Sequence, residues 1–230
     1  MPKIISVAQR KGGVGKTTLA VCVAAELANR GADVGLVDAD SLQSASDWAS
    51  LGNIPFPVYD IPLVGTVTEW ASEVSRISSS YIVVDAAPND QTLGACFALS
   101  SIVLLPCAPS GLDIEALKRS LDIIRAARAR RADDVQVVLV PNRVDARTLE
   151  GQQLVHELSE FGEIVAPSIG DRIDFVRAFS MGEAIATFAP GSMADLEIQQ
   201  LCDLLTSYLP IKASRSAVYP AVAYGQSAMR

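Results

Sequence analysis

The chain of 230 residues has little of what redox, metal-cage or membrane chemistry requires. Its four cysteines, Cys22, Cys96, Cys107 and Cys202, form no CxxC pair and stand inside apolar stretches. That pattern points to buried reduced thiols and away from a disulfide framework. The only histidine is His156, with no HExxH companion, so it is a poor metal ligand or triad member. No apolar run reaches the roughly 18 residues of a membrane-spanning helix. The first apolar run is short and meets Arg10 and Lys11, which is not the core of a signal peptide. Repeats and low-complexity linkers are missing too. Positive charge is scarce: 19 Lys and Arg stand against 26 Asp and Glu, a net charge of −7. Taken alone, that balance argues against a surface coated for nucleic acid or anionic lipid. What is plentiful is core-forming material, 50% hydrophobic residues with only 20% charged, which excludes a disordered chain.

Short apolar runs alternate with longer helical patterns. The runs predict strands at Lys3–Ala8, Val34–Asp38, Pro57–Asp60, Tyr81–Asp85, Ser101–Pro106, Val135–Pro141 and Glu163–Ala166. Several are apolar almost throughout, as strands covered on both faces must be. Helices are predicted over about 15–30, 41–50, 66–79, 91–99, 113–131, 147–161, 171–181 and 192–208. The alternation implies an α/β fold with a predominantly parallel, twisted sheet and helices on both faces. One domain over residues 1–209 is the simplest organisation, with 210–230 expected to form a loosely ordered C-terminal tail.

The strongest local signal is Lys11-Gly12-Gly13-Val14-Gly15-Lys16-Thr17-Thr18, which follows a predicted strand and opens a predicted helix. The glycines allow a tight turn that brings amide N–H groups close to phosphate oxygens, and the helix adds its positive dipole end. Lys16 is placed to reach the β and γ phosphates, and Thr17 to offer its hydroxyl to Mg²⁺. The usual G-x-x-x-x-G-K-[ST] pattern fails at its first position, where Arg10 stands, and an extra lysine, Lys11, opens the loop. Two predicted strands end in acids, Asp38-Ala39-Asp40 and Asp85-Ala86-Ala87-Pro88, at the sheet edge that also carries the loop. Asp85 fits a carboxylate that holds Mg²⁺ through its water shell, Asp38 a further outer contact, and Asp40 a group that positions or activates the attacking water.

With KGGVGKTT at 11–18, VGLVDAD at 34–40 and YIVVDAAP at 81–88, the chain resembles the ParA/MinD family of deviant-Walker P-loop ATPases over residues 1 to about 209. It is most similar to the small plasmid-partition type. Asp40-Ser41-Leu42-Gln43 followed by Trp48 matches that subgroup's D-P-Q…W pattern except at the proline, and DAAP stands where DxPP is common. The resemblance implies a cycle in which ATP and Mg²⁺ bind and a homodimer encloses two nucleotides. Lys11 would cross to the other copy's phosphates and Asp40 would orient water. Hydrolysis, stimulated by a cargo adaptor or ParB-like protein, would then release the dimer. It further implies a cytoplasmic, nucleoid-associated protein that partitions or positions a plasmid, a chromosome or a protein assembly.

Asn142-Arg143-Val144-Asp145, after the sixth predicted strand, superficially matches the N-K-x-D guanine reader. Asn142 would contact the base in either reading; Asp145 would read a guanine amino group or merely cap the next helix. The deviant loop favours adenine by family resemblance, and residues 166–172 are expected to close over the base. Non-specific DNA is the surface the family resemblance favours, through basic patches. The candidates are Arg172 and Arg177 beside the nucleotide loop, Lys212 and Arg215 in the tail, and the helix carrying Lys118, Arg119, Arg125, Arg128, Arg130 and Arg131. A MinD-like membrane helix is disfavoured, because the tail contains Pro220 and shows no apolar stripe. A metabolic or metal-delivery enzyme with the same loop is the remaining alternative; the missing paired cysteines disfavour an iron–sulfur scaffold. The acidic total does not exclude DNA, since Asp38, Asp40 and Asp85 would serve Mg²⁺. It predicts weak binding by the monomer, strengthened by dimerisation and lost with salt.

Overall fold

Seven apolar runs form one sheet in the computed structural model, which describes residues 2–129 and 134–211. The strands are β1 (Lys3–Val7), β2 (Val34–Asp38), β3 (Val58–Asp60), β4 (Tyr81–Asp85), β5 (Ile102–Cys107), β6 (Gln136–Pro141) and β7 (Ile164–Val165). They lie in the order β3-β2-β4-β1-β5-β6-β7, and every pairing is parallel. The connecting helices are α1 (Lys16–Asn29), α2 (Ser44–Ser50), α3 (Val67–Ser75), α4 (Asp90–Leu99), α5 (Gly111–Arg128), α6 (Leu149–Ser159), α7 (Ile173–Met181), α8 (Ile185–Phe188) and α9 (Met193–Tyr208). This is the α/β architecture that the strand–helix alternation predicts.

Alternate strand residues feed two cores, one on each face. Ile5, Val7, Leu36, Val83 and Leu104 join Leu19 of α1 and Ile198 and Leu201 of α9 in the first. Ile4, Val37, Ile82, Val84 and Leu105 join Leu93 and Phe97 of α4 and Leu117 and Leu121 of α5 in the second. Because both faces are covered, neither set of alternating residues can be polar, which is why the strands read as unbroken apolar runs. The four cysteines are buried and free, and burial pushes each thiol up to about 12 or beyond. His156 is exposed on α6, 3.9 Å from Glu160 one turn on.

The differences from the sequence expectation are local. The helix expected from residue 41 starts at Ser44: Asp40 Oδ1 accepts the Leu42 N–H, and Gln43 takes a left-handed conformation (φ 55), which closes a turn instead. α5 starts two residues earlier than predicted, because Ser110 caps it by accepting the Asp113 N–H. The four-residue α8 lies in a stretch where no helix is predicted. The tail after Ile211, with Lys212 and Arg215, lies outside the described residues, as do Arg130 and Arg131.

Register sets up the site. Val7 pairs with Asp85 and Asp85 with Asp38, so the ends of three adjacent strands meet at the sheet's carboxyl edge. The chain beyond Val7 leads directly into the glycine-rich loop.

Candidate functional site

The loop Lys11–Gly15 turns from β1 into α1 and is held from outside by the segment after β6. Gly15 occupies the N-cap of α1 with φ +89, and a Cβ there would collide with the Asn142 amide. Glycine is therefore required twice, for the left-handed backbone and for the close approach. Asn142 donates from Nδ2 to the Val14 carbonyl at 2.7 Å, and Arg143 donates from Nη1 to the Gly13 carbonyl at 3.3 Å. Arg143 is itself left-handed (φ 57) and lies 3.6 Å from Asp171. Thus Asn142, expected at the base, uses one amide hydrogen to splint the phosphate loop. Asp145 does not cap α6: both its oxygens engage Arg147, which holds its carboxyl down at about 2, and Thr148 caps the helix in its place.

Lys16 is 8% exposed and donates to the carbonyl of Lys11 across the loop at 3.1 Å. Burial lowers its pKa, while Asp85 and Asp40 act to raise it. Asp85 is 1% exposed, and neither of its oxygens has a well-formed hydrogen bond. Burial pushes its carboxyl up to about 7; the Thr17 hydroxyl lies close enough to oppose that, as does Lys16, while Asp38 adds to it. A buried carboxylate without a partner beside a threonine hydroxyl is the donor chemistry of a Mg²⁺ shared with phosphate, so the residues present fit that ion. Among the described residues no cluster of three or more His, Cys, Asp or Glu forms an all-protein metal cage.

Asp38 is fully buried, and its two oxygens accept the N–H groups of Asp40 (3.2 Å) and Ser46 (2.9 Å). It therefore anchors the turn between β2 and α2, a duty the sequence does not suggest. Asp40 lies on that turn and lines a cavity of about 540 Å³ together with Gly12, Gly13, Gly15, Lys16, Thr17 and Thr18. The far side of the same cavity is apolar, formed by Leu42, Trp48, Phe175, Val176 and Phe179. Residues 169–172, part of the 166–172 stretch expected at the base, also line it.

The basic residues are less free than the sequence suggests. Arg172 stands at the N-cap position of α7 without a capping side-chain bond and pairs with Glu197 at 2.7 Å, and Glu197 also accepts the Gly170 N–H. Arg177 is exposed on α7. On α5, Arg128 makes two bonds to Glu163 (2.8 and 3.0 Å), and Lys118, Arg119 and Arg125 lie 3.5–3.8 Å from Glu115 or Asp122. The basic charge of that helix is thus largely matched.

One partner of the loop, and one residue just before it, escape sequence reading. Lys11 donates to Asp113 Oδ2 at 2.7 Å, although 102 residues separate them. Gln9, 1% exposed, donates to the Pro106 carbonyl and accepts the Ser120 hydroxyl of α5. The only signal for Asp113 is S-x-x-D at 110–113, which reads as a helix cap.

Comparison with known proteins agrees with this geometry. The family model described as the CobQ/CobB/MinD/ParA nucleotide binding domain matches residues 5–185. The chain is 25% identical over 211 residues to maintenance of carboxysome distribution protein A of Halothiobacillus neapolitanus, covering 90% of this chain and 96% of that protein. It is 29% identical over 193 residues to protein ParA of Rhizobium radiobacter, covering 79% of this chain and 84% of that one. In structure it resembles the septum site-determining protein MinD of Pyrococcus horikoshii complexed with Mg-ADP. There the TM-score is 0.73 at 15% identity, over 91% of this chain and 98% of that one.

Proposed function

The chain belongs to the CobQ/CobB/MinD/ParA nucleotide-binding family, and from that premise we propose that it is a ParA-like ATPase whose ATP-bound homodimer holds non-specific DNA and positions a cargo. The observation that carries the reading is the buried, unpartnered Asp85 carboxylate beside Thr17 and Lys16, two residues that line a cavity together with Gly12, Gly13, Gly15 and Thr18 of the loop. The whole of residues 1–209 works as one ATPase domain in this account.

The chain's own groups divide the work. Amides of the loop and the N-terminus of α1 bind the phosphate oxygens of ATP. Lys16 leaves the Lys11 carbonyl and turns to the β and γ phosphates; its lowered pKa rises again beside that negative charge. Thr17 and Asp85 hold Mg²⁺, with Asp38 steadying the strand end next to them. Bound Mg²⁺ supplies charge neutralisation on the transferring phosphoryl group. Asp40, on its own turn at the cavity wall, orients the water that attacks. The base rests between Asn142 and residues 169–172, with adenine favoured because the deviant loop goes with ATP in this family. Lys11 reaches the other copy's phosphates in the dimer, and an adaptor accelerates hydrolysis. DNA contacts fall on Arg172, Arg177, Lys212 and Arg215. Among the described residues no helix is long and apolar enough to cross a membrane; a cytoplasmic, nucleoid-associated location follows from the DNA reading.

Two substitutions test the chemistry. Lys16→Gln abolishes binding of a fluorescent ATP analogue. Asp40→Ala keeps that binding, and its phosphate release falls by about 100-fold or more. An Asp40→Ala chain with normal turnover removes Asp40 from the mechanism, and a Lys16→Gln chain with normal affinity removes the loop from nucleotide binding.

A further inference from the structure

Lys11 is held at both ends. Its carbonyl accepts the Lys16 ammonium at 3.1 Å, and its own ammonium donates to Asp113 at 2.7 Å. The Asp113 side chain is 8% exposed and that of Lys11 35%. Asp113 is held in turn: its N–H donates to Ser110, the Ser110 hydroxyl donates to its carboxylate, and α5 is tied to the end of β1 by Ser120 on Gln9. The acceptor of this pair is therefore rigid, while the donor is a lysine on a glycine-rich loop.

We infer that Asp113 is a positioning residue that holds Lys11 back from the nucleotide face, and that nucleotide binding within the same chain loosens this hold so that Lys11 becomes available to a second copy. The inference rests on the reading of Lys11 as a group that acts across a dimer. When phosphate draws Lys16 off the Lys11 carbonyl, the backbone end of the hold is released, and only the ion pair with Asp113 remains. With its backbone end free, Lys11 exchanges in and out of that pair, and it stays out only where new negative charge replaces the carboxylate, because the Asp113 it leaves is largely desolvated. Phosphates offered by a second nucleotide-loaded copy provide such charge; an empty copy does not. The pair thus sets how much protein is needed before ATP drives dimerisation.

Asp113→Asn isolates the charge. Its amide oxygen still accepts the Ser110 hydroxyl and its N–H still caps α5, so the helix start survives while the attraction for Lys11 is lost. In sedimentation velocity with Mg²⁺ and a non-hydrolysable ATP analogue, the variant dimerises at about tenfold lower protein concentration than the wild-type chain. Its affinity for the analogue, measured below the dimerisation range, is unchanged. Asp113→Glu, which keeps the charge, returns the midpoint towards wild type. An Asp113→Asn midpoint that is unchanged or higher overturns the inference. A second readout needs no variant: in the nucleotide-free wild-type chain, reductive methylation of Lys11 is several-fold slower than that of exposed Lys118, and it speeds up when the analogue binds at concentrations too low for dimers. Equal rates at Lys11 and Lys118 without nucleotide overturn it as well. A wild-type chain that never dimerises with the analogue contradicts the proposed function, while the methylation result still decides the fate of the Lys11–Asp113 hold.

Discussion

Asp85 is the residue on which the proposed chemistry turns, and its environment makes a prediction about pH. Burial raises its carboxyl from 3.8 to about 7. Between those values the folded chain holds the proton that the unfolded chain has lost, so the stability this group confers is complete below about pH 4 and gone above about pH 7. Asp85→Asn keeps the shape and removes the buried charge. Its thermal midpoint in the nucleotide-free state therefore exceeds wild type at pH 8 by several degrees, at about 2–4 °C per kcal/mol, with a smaller gain at pH 5. The same variant loses the extra stabilisation that Mg²⁺ gives on top of nucleotide. Equal shifts at the two pH values in a scanning fluorimetry series contradict the assignment. Most of this site was legible at the residue scale, because a phosphate loop is contiguous and an acid at the end of an apolar run is conspicuous. Asp113 and Gln9 were not legible: their partners lie about a hundred residues away, and each reads locally as an ordinary cap or strand-end polar residue.

Among the elements, α2 and α7 both border the cavity, through Trp48 and through Phe175, Val176 and Phe179. α2 follows the turn that Asp38 and Asp40 build, and α7 follows residues 169–172 of the cavity wall. They are joined by Trp48, whose indole donates to the Glu183 carbonyl at 3.2 Å and meets the Phe179 ring edge-on at 5.0 Å. Asn53 adds a bond to the Met181 carbonyl at 2.9 Å. Gly182 ends α7 with φ +67, and a Cβ there would strike Leu51 just beyond α2. Gly182→Ala therefore destabilises the chain by about 1–3 kcal/mol in urea unfolding. Gly94→Ala, inside α4 with open space around the new methyl, stabilises it by about 0.4–1 kcal/mol. A neutral Gly182→Ala would show that the two elements are not packed as described. At this scale the sequence tells which element follows which, since apolar runs and caps are local. It misses the start of α2 because the Asp40 turn competes with helix, and it misses α8 because one turn has no periodicity to read.

The fold of the whole molecule follows from strand composition: runs buried on both faces force a parallel sheet, and the parallel order brings Val7, Asp38 and Asp85 to one edge. The charge of the whole molecule is less readable. A net −7 hides an acidic site, yet the structure also shows that most α5 cations face carboxylates, so the described residues of a monomer present only a sparse positive surface. In the proposed reading, DNA binding by such a chain depends on two copies presenting their patches together, and it weakens steeply with salt. The direct test is anisotropy of a labelled duplex of arbitrary sequence, titrated with the wild-type chain with a non-hydrolysable ATP analogue, with ADP or without nucleotide, at about 50 and about 200 mM salt. The account predicts binding with the ATP analogue only, weakened by at least tenfold at the higher salt; binding that is the same in all three nucleotide states, or absent from all of them, contradicts it.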